Sequence, residues 1–224
     1  MTTAAHVKQA MRPLLERHDD LAIVGRFLII KPVHHVLRSV CIDRRSNPDI
    51  FAVHSGCDMT FMGKSVWSLG WGRDHHIPKR LWNIHDAGSI QLLRDLLEQE
   101  VLPELRKVKS IDDFLAYVKP YMRSSDYDHN HHLWTWAAIA KGNFDEAISI
   151  VDAALAHWRL TKEPKFYQAL LARDRTALIA FLHESEAFTI GNFKLEKHWE
   201  PTPFPLELQA AEHIEGPVKP ESIN

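Results

Sequence analysis

The segment Ala140-Lys141-Gly142-Asn143-Phe144-Asp145-Glu146-Ala147 constrains the fold more than any other stretch of this chain. One helix must end and the next begin within it. Gly142 tolerates the left-handed conformation that closes a helix. Asn143 is a helix-capping residue, and Glu146, three positions on, completes the pattern of a capping box. Residues 133–141 and 144–158 are therefore predicted as a helical hairpin. In its second helix Phe144, Ile148, Val151, Leu155 and Trp158 recur at helical spacing and share one face.

The front half follows another period. Residues 4–17 place Val7, Met11, Leu14 and Leu15 on one helical face. Phe27-Leu28-Ile29-Ile30 is a continuous apolar run between Gly25 and Pro32, as in a buried strand. Residues 35–43 and 50–61 read as two strands around the turn-forming segment 44–49. The second alternates cleanly: Phe51, Val53, Cys57, Met59 and Phe61 on one side, Ala52, His54, Asp58 and Thr60 on the other. Pairing Asp43 with Ile50 sets Ile42 opposite Phe51, Val40 opposite Val53 and Val36 opposite Cys57. It also leaves Ser39 facing His54 and His35 facing Asp58 on a polar face. A fourth strand is predicted over 65–71 and a short piece over 81–84.

From Asp86 onward the pattern is helical. Ile90, Leu93, Leu97 and Val101 form a stripe, Pro103 kinks that helix or opens a new one, and Pro120 ends the helix that Ser110 opens. Residues 166–172 and 176–184 read as a second hairpin joined at Arg173-Asp174-Arg175. Residues 199–205 hold three prolines and read as an extended strap docked by Trp199 and Phe204. The chain after Gly216 is expected to be disordered. The expected class is α+β: a small antiparallel sheet of about four strands followed by a layer of paired helices. Residues 1–86 form the helix and sheet, 87–190 the helical hairpins packed on it, and 191–224 an extended C-terminal tail.

A formal net charge of -2 over 224 residues gives no electrostatic reason to expect nucleic acid or an anionic membrane as partner. Two cysteines, Cys41 and Cys57, make no disulfide framework, and no apolar run suits a secretory signal or a bilayer span. The expected location is cytoplasmic.

The 15 histidines carry the case for chemistry, because they cluster. Asp126, Asp128, His129, His131 and His132 pack carboxylates and imidazoles close together, the donor types that hold zinc or another divalent metal. The plainer reading is a polar approach to a helix, since the spacing matches neither a helical His pair nor a Cys/His finger. His35, His54 and Asp58 share the predicted polar sheet face. With Arg73, His75 and His76 of the loop after Gly72 they make a candidate binding surface, or else ordinary sheet and loop polarity. Cys57 falls on the core face, where a thiol is inert. Trp134, Trp136 and Trp158 pack a helical layer, with a ligand cage as the alternative. No nucleophile elbow, phosphate loop or dinucleotide fingerprint appears.

Residues 138–155 resemble one helix-turn-helix unit of a tetratricopeptide-type array through Ala140, Gly142, Phe144, Glu146, Ala147 and Ile148, but no period of about 34 residues follows. The front half, with Leu102-Pro103-Glu104-Leu105, is similar to small bacterial α+β domains of unknown function. The stretch from Phe166 to Asp174, leading to Ala177-Leu178, resembles the helical hairpins of polymorphic-toxin immunity proteins. That resemblance implies tight binding of a cognate toxin; separately, no cofactor is expected, with zinc or another divalent metal as the alternative. It transfers no functional residue, because such families bind through variable surfaces. The expected function is a bacterial, cytoplasmic, non-enzymatic protein-interaction protein whose partner is another protein. One alternative is a metal-dependent hydrolase built on the cluster from Asp126 to His132. The other is a small-ligand module with the Trp-rich region as pocket.

Overall fold

The computed structural model describes residues 2–67, 71–78, 80–121, 130–157 and 160–214, with backbone alone for 210–214. The chain divides into two compact units: Met1–Ser124 with Ser185–Pro201, and Ser125–Glu184 with Thr202–Asn224.

The first unit opens with α1 (Ala4–Arg17), capped by the Thr3 hydroxyl, which accepts from the His6 amide at 3.2 Å. It buries Val7, Ala10, Met11 and Leu14, the stripe its sequence spells out. Six strands follow: β1 (Leu21–Val24), β2 (Phe27–Ile30), β3 (Val36–Arg44), β4 (Ile50–Met59), β5 (Gly72–His75) and β6 (Trp82–Asn83). All their pairings are antiparallel, in the order β1-β2-β3-β4-β5, with β6 also on β4. The α+β class holds, with a sheet larger than four strands.

Three details of the sheet differ from the sequence reading. The β3–β4 register is displaced by two residues, so Ile42 faces Val53 and Val36 faces Met59. An even displacement keeps every side chain on its own face, so alternation cannot detect it. The turn decides instead: the Arg45 amide donates to the Ile50 carbonyl at 3.0 Å and tightens the loop. Segment 65–71 is not the fourth strand. Ser65, Val66, Trp67 and Trp71 lie outside any strand, 68–70 fall outside the described residues, and the pairing is made by Gly72–His75. Here Gly56 faces Gly72 so closely that a Cβ on Gly56 would stand 2.3 Å from the Trp71 carbonyl oxygen. Finally, residues 21–24, unassigned by the sequence, form β1, which turns at Gly25 (φ 61°) to pair with β2.

The sheet is covered on both faces within this unit. One face carries Val40, Ile42, Val53, Ser55 and Cys57. It meets α2 (Ala87–Leu96), a π-helical turn (Leu97–Val101), α3 (Leu102–Leu105) and α4 (Ile111–Val118). The π-turn precedes Pro103, whose ring cannot fit a regular helix beside the carbonyl four residues back. Ser110 and Asp113 form a complete capping box on α4. The other face carries Ile29 and Leu37, which join Val33, Ile190, Phe193 and Leu195 in a buried cluster. Ile190 and Phe193 lie on the second half of α8 (Arg175–Phe193). Trp199 runs beside Val33 in a single parallel bridge, so this part of the strap does dock.

In the second unit, α5 (His131–Ala140) and α6 (Phe144–Ala156) form the predicted hairpin. Gly142 takes φ 76°, its amide donates to Ile139 O at 2.9 Å, and the Asn143 amide donates to Ala138 O at 2.9 Å. This is the Schellman pattern. The capping box is not formed: the Asn143 side-chain amide donates to Glu146 Oε2 at 3.3 Å and caps no backbone group. Arg173 (φ 52°) closes α7 (Tyr167–Leu171) in the same way, and Asp174 caps α8 by accepting from the Ala177 amide at 3.0 Å. Trp136 stacks on Phe181 at 5.3 Å beside Phe166, a core role, while Trp158 lies outside the described residues. The tail is not extended throughout. Pro205 opens α9 (Pro205–Ile214), a first-turn position where its missing N–H has no cost, and Phe204 is fully buried before it. The chain after Gly216 lies outside the described residues.

Candidate functional site

β4 and β5 place three polar side chains on the helix-covered face. Val53 pairs with His75 and Ser55 with Arg73, so Ser55, Arg73 and His75 all point toward α3 and α4. Ser55 interrupts an otherwise apolar row of Phe51, Val53, Cys57 and Met59. Its hydroxyl lies 2.8 Å from His75 Nε2. His75 is pinned at its backbone, where the Trp82 indole N–H donates to its carbonyl at 2.7 Å.

These groups floor a cavity of about 310 Å³. Its walls come from the π-turn (Gln99, Glu100), α3 and the residues after it (Glu104, Lys107), and Tyr117 of α4. Arg73 meets Glu104 at 3.4 Å on the rim, where both are half-exposed. A hydrogen bond to Tyr121, then Glu104, holds the Arg73 guanidinium above its ordinary value. Burial, then the Arg73 cation, pulls the His75 imidazole below its ordinary value, so it is neutral near pH 7 and able to accept a proton. Burial, then Cys57, raises Tyr117, which stays a hydroxyl donor. Cys57 is pushed up to about 12 by burial and is no nucleophile.

The predicted binding surface is divided by the fold. Arg73 and His75 belong to the cavity. His76 is exposed on a separate groove with Ile77, Arg80 and Leu81. His35 and Asp58 do not form the expected cross-strand pair, because the register shift sets Leu37 opposite Asp58. His35 Nδ1 lies 3.0 Å from Glu186 Oε1 and Asp58 meets Lys64 at 2.5 Å. Both are covered, with Asp58 at 5% and Glu186 at 0% exposure, because the second half of α8 lies on that face. His54 pairs with Asp74 across the strands at 3.1 Å. The His35–Glu186 and Asp58–Lys64 pairs are covered, whereas the His54 pair reaches solvent through Asp74, which is 64% exposed.

Of the proposed metal ligands, Asp126, Asp128 and His129 lie outside the described residues. His131 and His132 sit on the first turn of α5, ring centroids 4.0 Å apart, and burial lowers His132. Two imidazoles supply half of a four-ligand zinc set. Among the described residues no group of three or more His, Cys, Asp or Glu could hold a metal ion. No helix among the described residues is long and apolar enough to cross a membrane.

Ser55, Tyr117, Glu100, Glu104 and Lys107 are the site residues that sequence reasoning missed. Only Ser55 left a signal, as a polar residue inside the apolar row of β4. The rest reach the cavity through tertiary packing. No protein-family model, curated protein or solved structure matches the chain.

Proposed function

We propose that this chain is a small-ligand module whose cleft beside β5 takes a ligand carrying both charges, of amino-acid or dipeptide size. The observation that carries this reading is the arrangement of opposite charges round one cavity. Arg73 and Lys107 stand for a carboxylate and Glu100 and Glu104 for an ammonium, above a hydrogen-bonding floor of Ser55, His75 and Tyr117. A volume of about 310 Å³ suits such a ligand. The site replaces the Trp-rich region as the pocket, because Trp136 is spent on core packing. The test is a thermal-shift screen of free amino acids and simple dipeptides at about 10 mM, followed by calorimetry. A hit raises Tm and loses affinity in Arg73→Ala and Glu100→Ala. A screen with no hit refutes the reading.

A second reading, a protein-binding module of the toxin-immunity kind, draws on a different face. Leu81 is 71% exposed beside a groove bordered by Arg45, Arg80 and His76, with Ile77 and Phe51 below. The charged residues lining that groove are cationic, so it suits an acidic partner segment with an apolar anchor. Peptides selected on the full chain from a displayed library should be acidic and should lose binding to Leu81→Asp. Selection of peptides indifferent to Leu81→Asp counts against it.

A further inference from the structure

We propose that Ser55 is the nucleophile of an acyl-transfer site, with His75 as its base, hydrolysing an ester of the small polar ligand assigned to this cleft. The inference rests on that ligand-binding reading and adds a reaction to it. Three observations converge. The hydroxyl and Nε2 are 2.8 Å apart, within the reach a nucleophile and its base require. Both line the same cavity as Arg73 and Tyr117, two donors able to face a developing oxyanion. The backbone that carries the imidazole is fixed by strand pairing to Val53 and by the Trp82 hydrogen bond at the His75 carbonyl. Burial keeps His75 in its proton-accepting form near neutral pH.

The chemistry balances without a further reactant beyond water. Ser55 Oγ attacks the ester carbonyl carbon, an O–C bond forms, and the hydroxyl proton passes to His75 Nε2. The tetrahedral oxyanion collapses, the bond to the alkoxy oxygen breaks, and that oxygen leaves as an alcohol with the proton from His75. Water then attacks the acyl-serine and gives a proton to His75. Breaking the acyl bond returns that proton to Ser55 Oγ and releases a carboxylic acid.

A fluorophosphonate probe, which phosphonylates activated serines, tests the step on the full chain, with the adduct located by peptide mass. Labelling is expected at Ser55, absent in Ser55→Ala, and about 100-fold slower in His75→Ala. Free imidazole should restore part of the His75→Ala rate, which a merely structural histidine would not allow. The wild-type rate should be flat through neutral pH and fall only on acidification past the ordinary imidazole range, as His75 gains its proton. Circular dichroism checks that Ser55→Ala and His75→Ala are folded; if His75→Ala is not, His75→Gln takes its place, with the pH profile as the readout. No adduct at Ser55 in folded wild-type protein overturns the proposal. If amino acids or dipeptides still raise Tm, only the reaction falls and the binding reading stands. Labelling at Ser55 with no hit in the ligand screen removes the charged-ligand assignment and keeps the nucleophile.

Discussion

Replacing Glu186 by alanine tests whether the second half of α8 is bound to the sheet as described. Glu186 is 0% exposed, and its Oε1 accepts from the Thr60 hydroxyl at 2.5 Å and lies 3.0 Å from His35 Nδ1. The two partners lose unequally. The Thr60 hydroxyl is already 3.1 Å from the His34 carbonyl and turns to it, so its net loss is about zero. The His35 contact is worth about 1 kcal/mol. Removing the buried Cγ and carboxyl leaves a cavity costing about 2 kcal/mol. Glu186→Ala should therefore destabilise the first unit by about 3 kcal/mol. Glu186→Gln keeps the volume and one acceptor. It puts an amide N–H₂ where Oε2 has no hydrogen-bond partner among the described residues, so it should cost about 1 kcal/mol. Urea unfolding followed by near- and far-ultraviolet circular dichroism measures both. A loss below about 1 kcal/mol for Glu186→Ala would show that this carboxylate is hydrated and that the face of Leu37 and Asp58 is open.

Gly56→Ala should cost about 3 kcal/mol in urea unfolding, because its Cβ would stand 2.3 Å from a backbone oxygen that cannot move away alone. Gly25→Ala, with nothing within 4 Å, should cost only the left-handed strain of about 1 kcal/mol. Cys41 and Cys57 are both pushed up to about 12 by burial, so a disulfide-exchange reagent should modify neither in native protein and both in urea. Glu98 is lowered to about 2 by the Arg17 hydrogen bond and then by His18, and Arg106 lowers Asp20. Folded values below the unfolded ones mean stability is fully present above about pH 4.5 and lost as pH falls toward 2. Glu98→Gln should flatten the urea midpoint across that window relative to the parent chain.

Local chemistry was readable where it is self-contained. Gly142 announced the α5–α6 corner, and the alternation of residues 51–59 announced β4. What escaped depends on distant partners. Alternation cannot distinguish registers two residues apart, so the hairpin turn at 46–49 decided the pairing. The sequence pattern predicts a helix over 176–184, short of the observed end at Phe193, and the turns beyond it hold Ser185, Glu186 and Thr189. Two of these are buried polar residues, each with its own hydrogen bond: Glu186 to Thr60, and the Thr189 hydroxyl, which accepts from the Lys64 amide at 3.0 Å. The same substitution of hydrogen bonds for apolar contact hid the covered face at His35 and Asp58. The cavity is half legible: Arg73 and His75 stand out by residue type, but Ser55 needs the β5 pairing to meet its histidine.

Helix α8 gives its second half, from Ser185, to the unit that begins at Met1, while residues 125–184 belong elsewhere. A growing chain therefore emerges from the ribosome with Ile29 and Leu37 on an unroofed sheet, and Ile190, Phe193 and Leu195 arrive only after the intervening residues are made. During that interval the nascent sheet is greasy and open to wrong partners, a natural client for a chaperone. A truncation before Ser185 would freeze the chain in that state, so such fragments should precipitate even though they contain all six of the described strands.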